Sequence, residues 1–225
     1  MKLLWLCNNA PGLIRTALTG KEAGEVNWVD HVLSDLRHQD VTMRILYRGG
    51  GEPGQLDAFC SYAPVPETPA HLYRPELAQA FQKELEAYQP DIILLQIGTN
   101  DVLDAQNSGI GDRLENLVDQ ILPYLEEDGD MLFLSTIPDI DVSVRYDWLG
   151  AYQWRDGSGL SYESDPEAFT AKVQGSIDSY NAIVKELVEK KQAEGKHIRF
   201  ADIHSVVDQK TGLKDGVHPN ESGYA

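Results

Sequence analysis

Five short apolar runs recur along the chain, and stretches with helical periodicity separate them. The third run, Ile92-Ile93-Leu94-Leu95, is the strongest strand signal, because it has four consecutive large apolar residues directly after Pro90-Asp91. An apolar run that does not alternate with polar residues is typical of a strand buried on both faces. Such strands, alternating with helices, predict an α/β fold: a three-layer, open, mostly parallel sheet with helices on both faces.

The apolar patterns also predict where the elements lie. Strands are expected over residues 2–7, 41–47, 91–97, 131–137 and 197–203. Helices are expected over about residues 27–38, 75–89, 111–125 and 167–194. Gly195 suits the end of the last helix, since glycine readily adopts the left-handed conformation found there. A long loop over residues 139–166 carries aromatic side chains that either stack on a sugar or keep the loop ordered: Tyr146, Trp148, Tyr152, Trp154 and Tyr162.

The first candidate site motif, Gly98-Thr99-Asn100-Asp101, directly follows the strongest strand. In open parallel sheets, sites lie at the carboxyl ends of the strands. The Asn100 side chain offers an amide donor on a loop, which is the kind of group that stabilises an oxyanion. The same residue types also form ordinary turns, so the motif alone leaves both interpretations open.

The second candidate motif, Asp215-Gly216-Val217-His218-Pro219, lies near the end of the chain. A carboxylate three residues before a histidine can hold the imidazole in one tautomer, and the histidine then acts as a general base. A solvated loop histidine is the alternative. His204 follows Asp202 closely, but no third ligand accompanies them, so we expect a strand-end histidine there and no metal.

Together these motifs resemble the SGNH (GDSL-type) hydrolase family, over about residues 88–225, and within it the carbohydrate-esterase branch. The resemblance implies an SGNH or flavodoxin-like α/β fold and assigns the oxyanion donor to Asn100. It also assigns Asp215 and His218 to a Ser-His-Asp triad. The implied reaction is ester hydrolysis, often removal of acetyl groups from sugars, on a small-molecule or carbohydrate ester and without a cofactor or metal.

The chain departs from this family at the nucleophile. The family has Gly-Asp-Ser just after its first strand, whereas Cys7-Asn8-Asn9 stands there in this sequence. Asn9 cannot attack an ester, and Cys7 would serve only after a shift of register. A small buried residue at a strand end is the favoured interpretation of Cys7, so the nucleophile stays unidentified. The family's second oxyanion donor would be one of three glycines: Gly49, Gly50 and Gly51.

Residues 1–90 resemble the amino-terminal domain of GT-B glycosyltransferases. The resemblance depends on Leu3-Leu4-Trp5-Leu6-Cys7-Asn8, Asn27-Trp28 and His71-Leu72-Tyr73. We therefore expect one α/β domain over residues 1–225 of hybrid origin, with a GT-B-like half (1–90) and an SGNH half (91–225) that stops short of the family's final helix. The functional alternatives to an esterase are a catalytically inactive carbohydrate-binding module and a glycosyltransferase fragment.

The charge of the chain limits the classes of molecule that it is expected to bind. The chain has 19 Lys and Arg residues against 36 Asp and Glu residues, a net charge of −17. This balance disfavours nucleic acid and anionic membranes as partners, because proteins bind both mainly through clusters of basic residues.

Two cysteines form neither a disulfide framework nor a zinc set. The apolar start ends at Asn8, too early for a signal peptide, so we expect a cytoplasmic protein, or an extracellular one if a leader precedes it. The oligomeric state is left open.

Overall fold

One parallel sheet organises the chain. The computed structural model describes residues 1–8, 42–48, 82–83, 85–103, 109–144, 158–213 and 216–217. The strands are β1 (Lys2–Asn8), β2 (Thr42–Arg48), β3 (Ile92–Gln96), β4 (Met131–Ser135) and β5 (Ile198–Ala201). They are ordered β2-β1-β3-β4-β5, and every neighbouring pair is parallel. The predicted α/β fold with an open parallel sheet is confirmed.

A row of apolar side chains crosses four of these strands. The register aligns Leu4 with Ile93, Ile93 with Leu132 and Leu132 with Ile198. All four side chains are at most 2% exposed. Because side chains alternate between the two faces of a strand, their alignment builds the centre of the core on one face of the sheet.

The helices are α1 (Thr99–Leu103), α2 (Ile110–Ile121) and α3 (Pro166–Ala193), and residues 82–83 and 85–88 are also helical. A single 3₁₀ turn (Leu122–Tyr124) follows α2. The helix predicted over residues 111–125 therefore ends earlier than expected, because Pro123 has no backbone N–H to donate to the preceding turn. None of the described helices is long and apolar enough to cross a membrane.

Both ends of α3 follow local chemistry. The Asp165 side chain accepts a hydrogen bond from the backbone N of Ala168 (3.0 Å), and Pro166 occupies the first turn, where its missing N–H costs nothing. Gly195 has a φ of +77° just after the helix, as predicted. Residues three or four apart on α3 form its buried face: Phe169, Val173, Ile177, Tyr180 and Val184.

The strand order creates a switch point beside β1. The chain runs from β1 to β2 on one side and later adds β3 on the other side, so β1 lies between them. Ligands of open α/β sheets bind in the crevice at such a point, beyond the carboxyl ends of the strands. The predicted helix over about residues 27–38 lies outside the described residues.

Candidate active site

The end of β3 is held by a tyrosine from α3. The Tyr180 hydroxyl donates a hydrogen bond to the carbonyl oxygen of Ile97 (2.7 Å), and the tyrosine is 1% exposed. Its ring lies against Gly98, where an added Cβ would approach the ring carbon Cζ to 2.3 Å. Gly98 also has a φ of +109°, a conformation that side chains disfavour. Both observations explain why the motif begins with glycine.

Asn100 was expected on a loop, but its backbone lies in the short helix α1. The backbone N of Val102 donates to the carbonyl oxygen of Gly98 (3.0 Å), which closes a helical turn directly after the strand. Turn-forming residues also suit the start of a helix, so the motif by itself did not distinguish the two. Only the backbone of Asn100 is described, and its assignment to the oxyanion hole stays a prediction.

Asp101, the last residue of this motif, is a buried anchor that sequence reasoning missed. It is 2% exposed, and its Oδ1 lies 3.7 Å from Nη2 of Arg113 on α2. A carboxylate in the first turn of a helix is also favoured by the helix dipole. The pair joins α1 to α2, and no local pattern in the sequence predicts that contact.

The end of β4 is held by the residue that follows Tyr180 on α3. The Asn181 side chain accepts a hydrogen bond from the backbone N of Ile137 (2.9 Å) and donates one to its carbonyl oxygen (3.0 Å). Two consecutive residues of α3 therefore support the carboxyl ends of two neighbouring strands. This arrangement ties the edge of the sheet that carries the candidate site to its longest helix.

The middle of the Asp215–His218 motif packs against the segment after β4. The backbone N of Asp141 donates to the carbonyl oxygen of Gly216 (2.8 Å), and Val217 is buried in the core. Gly216 has a φ of +82°, and an added Cβ would lie 2.5 Å from the Asp141 carbonyl oxygen. Asp215 and His218 lie outside the described residues, so their roles stay predictions.

The Asp141 side chain is buried and binds the segment that precedes this motif. Lys210 Nζ donates to its Oδ2 (2.7 Å), and Ser143 donates to its Oδ1 through both backbone and hydroxyl. Burial alone raises the pKa of Asp141, but the hydrogen bonds from Lys210 and Ser143 outweigh it and hold the pKa below its ordinary value. Gln209 adds a hydrogen bond to the carbonyl oxygen of Ile140 (2.6 Å). Ile140 and Asp141 thus hydrogen-bond with three residues from later in the chain: Gln209, Lys210 and Gly216.

The end of β1 lies beside the end of β3. Cys7 pairs in register with Gln96, and Asn8 is the last residue of β1. The position where the family has its nucleophile therefore follows the strand next to the one that precedes Gly98. Asn9 and the three glycines at 49–51 lie outside the described residues, and of Cys7 and Asn8 only the backbone is described.

Three of the described side chains are close enough to hold a metal ion. Ligand atoms of Asp139, Asp178 and His204 lie within 4.8 Å of one another. His204 Nε2 is 2.9 Å from Asp139 Oδ1, and the Gln174 amide donates to both carboxylates. Hydrogen bonds thus link these side chains through Gln174, and the expectation of no metal at His204 stays a prediction. His204 thus pairs with Asp139, whereas Asp202 accepts from Ser205 N (3.2 Å).

One of the five aromatic residues in the loop over residues 139–166 is described. Tyr162 meets Phe169 edge to face, with ring centroids 6.2 Å apart, and packs against the core. This contact supports the structural interpretation of Tyr162, in which the aromatic ring orders the loop. The other four aromatic residues lie outside the described residues.

Comparisons with known proteins identify one curated relative named an esterase and one named a putative endoglucanase. A multidomain esterase from Ruminococcus flavefaciens is 37% identical over 140 residues, 62% of this chain, and the match spans 15% of its length. A second curated relative, the putative endoglucanase X of Acetivibrio thermocellus, is 28% identical over 152 residues, 67% of this chain and 52% of its own length. The chain therefore spans at most about half the length of these curated relatives.

Solved structures share the fold. A family 3 carbohydrate esterase from Clostridium thermocellum superposes with a TM-score of 0.53 at 19% identity, over 100% of this chain and 89% of the other. A catalytic mutant of an acetylxylan esterase from Geobacillus stearothermophilus has a TM-score of 0.53 at 17% identity, over 99% of this chain and 88% of the other.

A family match extends into both parts of the sequence. The model for the GDSL-like Lipase/Acylhydrolase family matches residues 27–225, including much of the part with the GT-B resemblance. None of the relatives named above is a glycosyltransferase, so that resemblance stays a prediction, as does the hybrid domain division. Because the match covers most of the chain, this protein belongs to the GDSL-like Lipase/Acylhydrolase family.

Proposed function

We propose that this protein hydrolyses esters and that its substrate is an acetylated carbohydrate. One observation supports the proposal most: residues of both candidate motifs lie beyond the carboxyl ends of neighbouring strands. Gly98 follows β3, and Gly216 accepts a hydrogen bond (2.8 Å) from Asp141, which follows β4. Sites of open parallel sheets occupy this edge. The family membership and the carbohydrate esterases among the relatives support the substrate class.

In the proposed reaction, Asp215 orients His218, and His218 acts as the general base. A nucleophile attacks the carbonyl carbon of the ester, and the carbonyl oxygen becomes an oxyanion that accepts a hydrogen bond from Asn100. The bond to the alcohol oxygen then breaks, and His218 gives its proton to that oxygen. Water, deprotonated by His218, then attacks the acyl carbon. The bond between this carbon and the nucleophile breaks, His218 returns the proton to the nucleophile, and the carboxylic acid leaves.

The identity of the nucleophile decides between this function and a second candidate. Asn9 stands where the family has its serine, and this feature favours a module that binds carbohydrate esters without turnover. Cys7, two positions earlier, is the nucleophile that the esterase proposal would use.

The first experiment measures hydrolysis of p-nitrophenyl acetate, followed by acetate release from acetylated xylan. We expect turnover by the unmodified chain to fall by a factor of about 10² or more in His218→Ala. His204→Ala is the matched control, since His204 is a half-buried histidine after β5 that pairs with Asp139. Turnover should persist in that control. Loss of turnover in Cys7→Ala, with folding retained, would identify the thiol as the nucleophile.

A gain of function separates the two candidates. Asn9→Ser restores the family's serine position, and Asn8→Ser, within β1, is the control that places serine one residue too early. If the unmodified chain is inactive and Asn9→Ser gains roughly tenfold or more, the site retains its partners and the binding module is favoured. If neither the unmodified chain nor Asn9→Ser hydrolyses esters while both are folded, the esterase proposal is wrong.

A further inference from the structure

Tyr180 contacts the candidate oxyanion segment, residues 98–102, although its helix, α3, lies far from this segment in the sequence. Its hydroxyl donates to the Ile97 carbonyl oxygen (2.7 Å), and the two residues are 83 positions apart in the sequence. Its ring occupies the space that a side chain at Gly98 would need. Tyr180 therefore contacts the last residue before the segment and the first residue within it.

These contacts continue into α1. The Gly98 carbonyl oxygen accepts a hydrogen bond from the backbone N of Val102 (3.0 Å), which closes the turn that contains Asn100. The position of Gly98 thus sets where α1 begins. The far end of this turn is also fixed, since buried Asp101 pairs with Arg113 of α2.

We propose that Tyr180 is a positioning residue for the oxyanion segment: its hydroxyl and ring hold Ile97 and Gly98, and so set the place of α1 and of Asn100. The inference rests on the proposed function, in which Asn100 stabilises the oxyanion. An oxyanion donor works only when it is held where charge develops, and small displacements reduce the rate strongly. The hydroxyl of Tyr180 therefore contributes to turnover without touching the substrate.

The test compares two tyrosine hydroxyls that bind backbone carbonyls at opposite ends of the sheet. Tyr180→Phe removes the contact at the end of β3. Tyr88→Phe is the matched control, since the Tyr88 hydroxyl donates to the carbonyl oxygen of Leu3 (3.3 Å) at the start of β1. Both changes keep the aromatic ring. A urea unfolding curve for each variant checks that it folds.

Two readouts separate positioning from simple stability. Amide hydrogen exchange at Val102 should become on the order of tenfold faster in Tyr180→Phe and stay unchanged in Tyr88→Phe. Turnover of p-nitrophenyl acetate should fall by about tenfold in kcat for Tyr180→Phe, with KM within about twofold. Faster exchange spread evenly over β3, β4 and α3 would assign Tyr180 a purely structural role and overturn the proposal, as would an unchanged kcat in an active enzyme.

The outcomes distinguish this inference from the proposed function. If the unmodified chain and its Asn9→Ser variant both lack esterase activity, the proposed function fails, while exchange at Val102 still tests whether Tyr180 positions α1. If Tyr180→Phe does not fold, 3-fluorotyrosine at position 180 keeps both ring and hydroxyl and makes the hydroxyl a stronger donor. Slower exchange at Val102 would then support the proposal, and unchanged exchange would contradict it.

Discussion

Gly98 occupies a position that accepts no side chain, for two independent reasons. Its φ is +109°, and an added Cβ would lie 2.3 Å from the Tyr180 ring. We expect Gly98→Ala to lower the free energy of unfolding by about 3 kcal/mol or more, because left-handed strain and overpacking each cost roughly 1–3 kcal/mol. Urea unfolding monitored by circular dichroism measures this loss.

Gly129→Ala is the control that separates strain from overpacking. Gly129 has a similar φ of +103°, but an added Cβ would meet nothing within 4 Å. We expect Gly129→Ala to lower the free energy of unfolding by about 1 kcal/mol, from backbone strain alone. Equal losses in the two variants would mean that the closeness of Tyr180 does not constrain Gly98.

Single residues of the site were predictable to different degrees. The sequence motif indicated that Gly98 follows the strand at the edge where sites lie, and the role of Asn100 stays a prediction. It did not indicate that Asp101 would be buried. A carboxylate is buried when a partner compensates its charge, and Arg113 comes from a different helix.

A buried lysine joins the two longest labelled helices. Lys191 on α3 is 4% exposed, and its Nζ lies 2.6 Å from Asp119 and 2.8 Å from Glu115 on α2. Burial opposes its charge, but the hydrogen bonds to Asp119 and Glu115 outweigh this and raise the pKa of Lys191. The pKa of Glu115 lies below its ordinary value of 4.5, because Lys190 and Lys191 donate hydrogen bonds to it.

We expect Lys191→Met to lower the free energy of unfolding by about 1–3 kcal/mol at pH 7, because it leaves two carboxylates facing each other. A carboxylate with a lowered folded pKa contributes stability that is present above its unfolded pKa and lost as pH falls through its folded pKa. The difference in the free energy of unfolding between Lys191→Met and the unmodified protein should therefore shrink as pH falls below 4.5, the ordinary pKa of Glu115. Urea unfolding at pH 7 and in acid measures both effects.

Lys190→Met provides the comparison at the same helix pair. Lys190 also binds Glu115 (2.6 Å), but its side chain is 55% exposed. Because exposed ion pairs contribute little to stability, we expect Lys190→Met to lower the free energy of unfolding by about 0.5 kcal/mol or less. A loss as large as that of Lys191→Met would contradict the importance assigned to burial.

The whole sheet combines strands from both parts of the sequence. β1, from residues 1–90, is hydrogen bonded to β2 on one side and to β3 on the other. Strands that share one ladder depend on each other for their backbone hydrogen bonds and buried faces. One sheet thus joins strands from both parts, and the single domain over residues 1–225 stays a prediction.

We expect one cooperative unfolding transition for the whole chain. Far-ultraviolet circular dichroism and tryptophan fluorescence should give coincident curves in urea, because the sheet cannot lose β1 without exposing the core around Leu4 and Ile93. Trp5 lies in β1 and reports on the first part of the chain. Two separated transitions would mean that the parts fold independently.

Local patterns in the sequence were sufficient to predict the class of fold. Apolar runs and helical periodicity report on burial and backbone conformation within a few residues, so they predicted the five strands to within a few residues at their ends. Gly195 and Pro166 acted at the ends of α3 through their own backbone restrictions. The same local signals indicated the two motifs of the candidate site.

Only the tertiary structure decided which of these segments meet. The order β2-β1-β3-β4-β5 brings the ends of β1 and β3 together at the switch point. Tyr180 reaches Ile97 across 83 positions and Lys210 reaches Asp141 across 69. Such contacts depend on how the chain closes on itself and not on any neighbouring residue, and that is why periodicity and motifs could name the parts of the site but not the side chains that hold them.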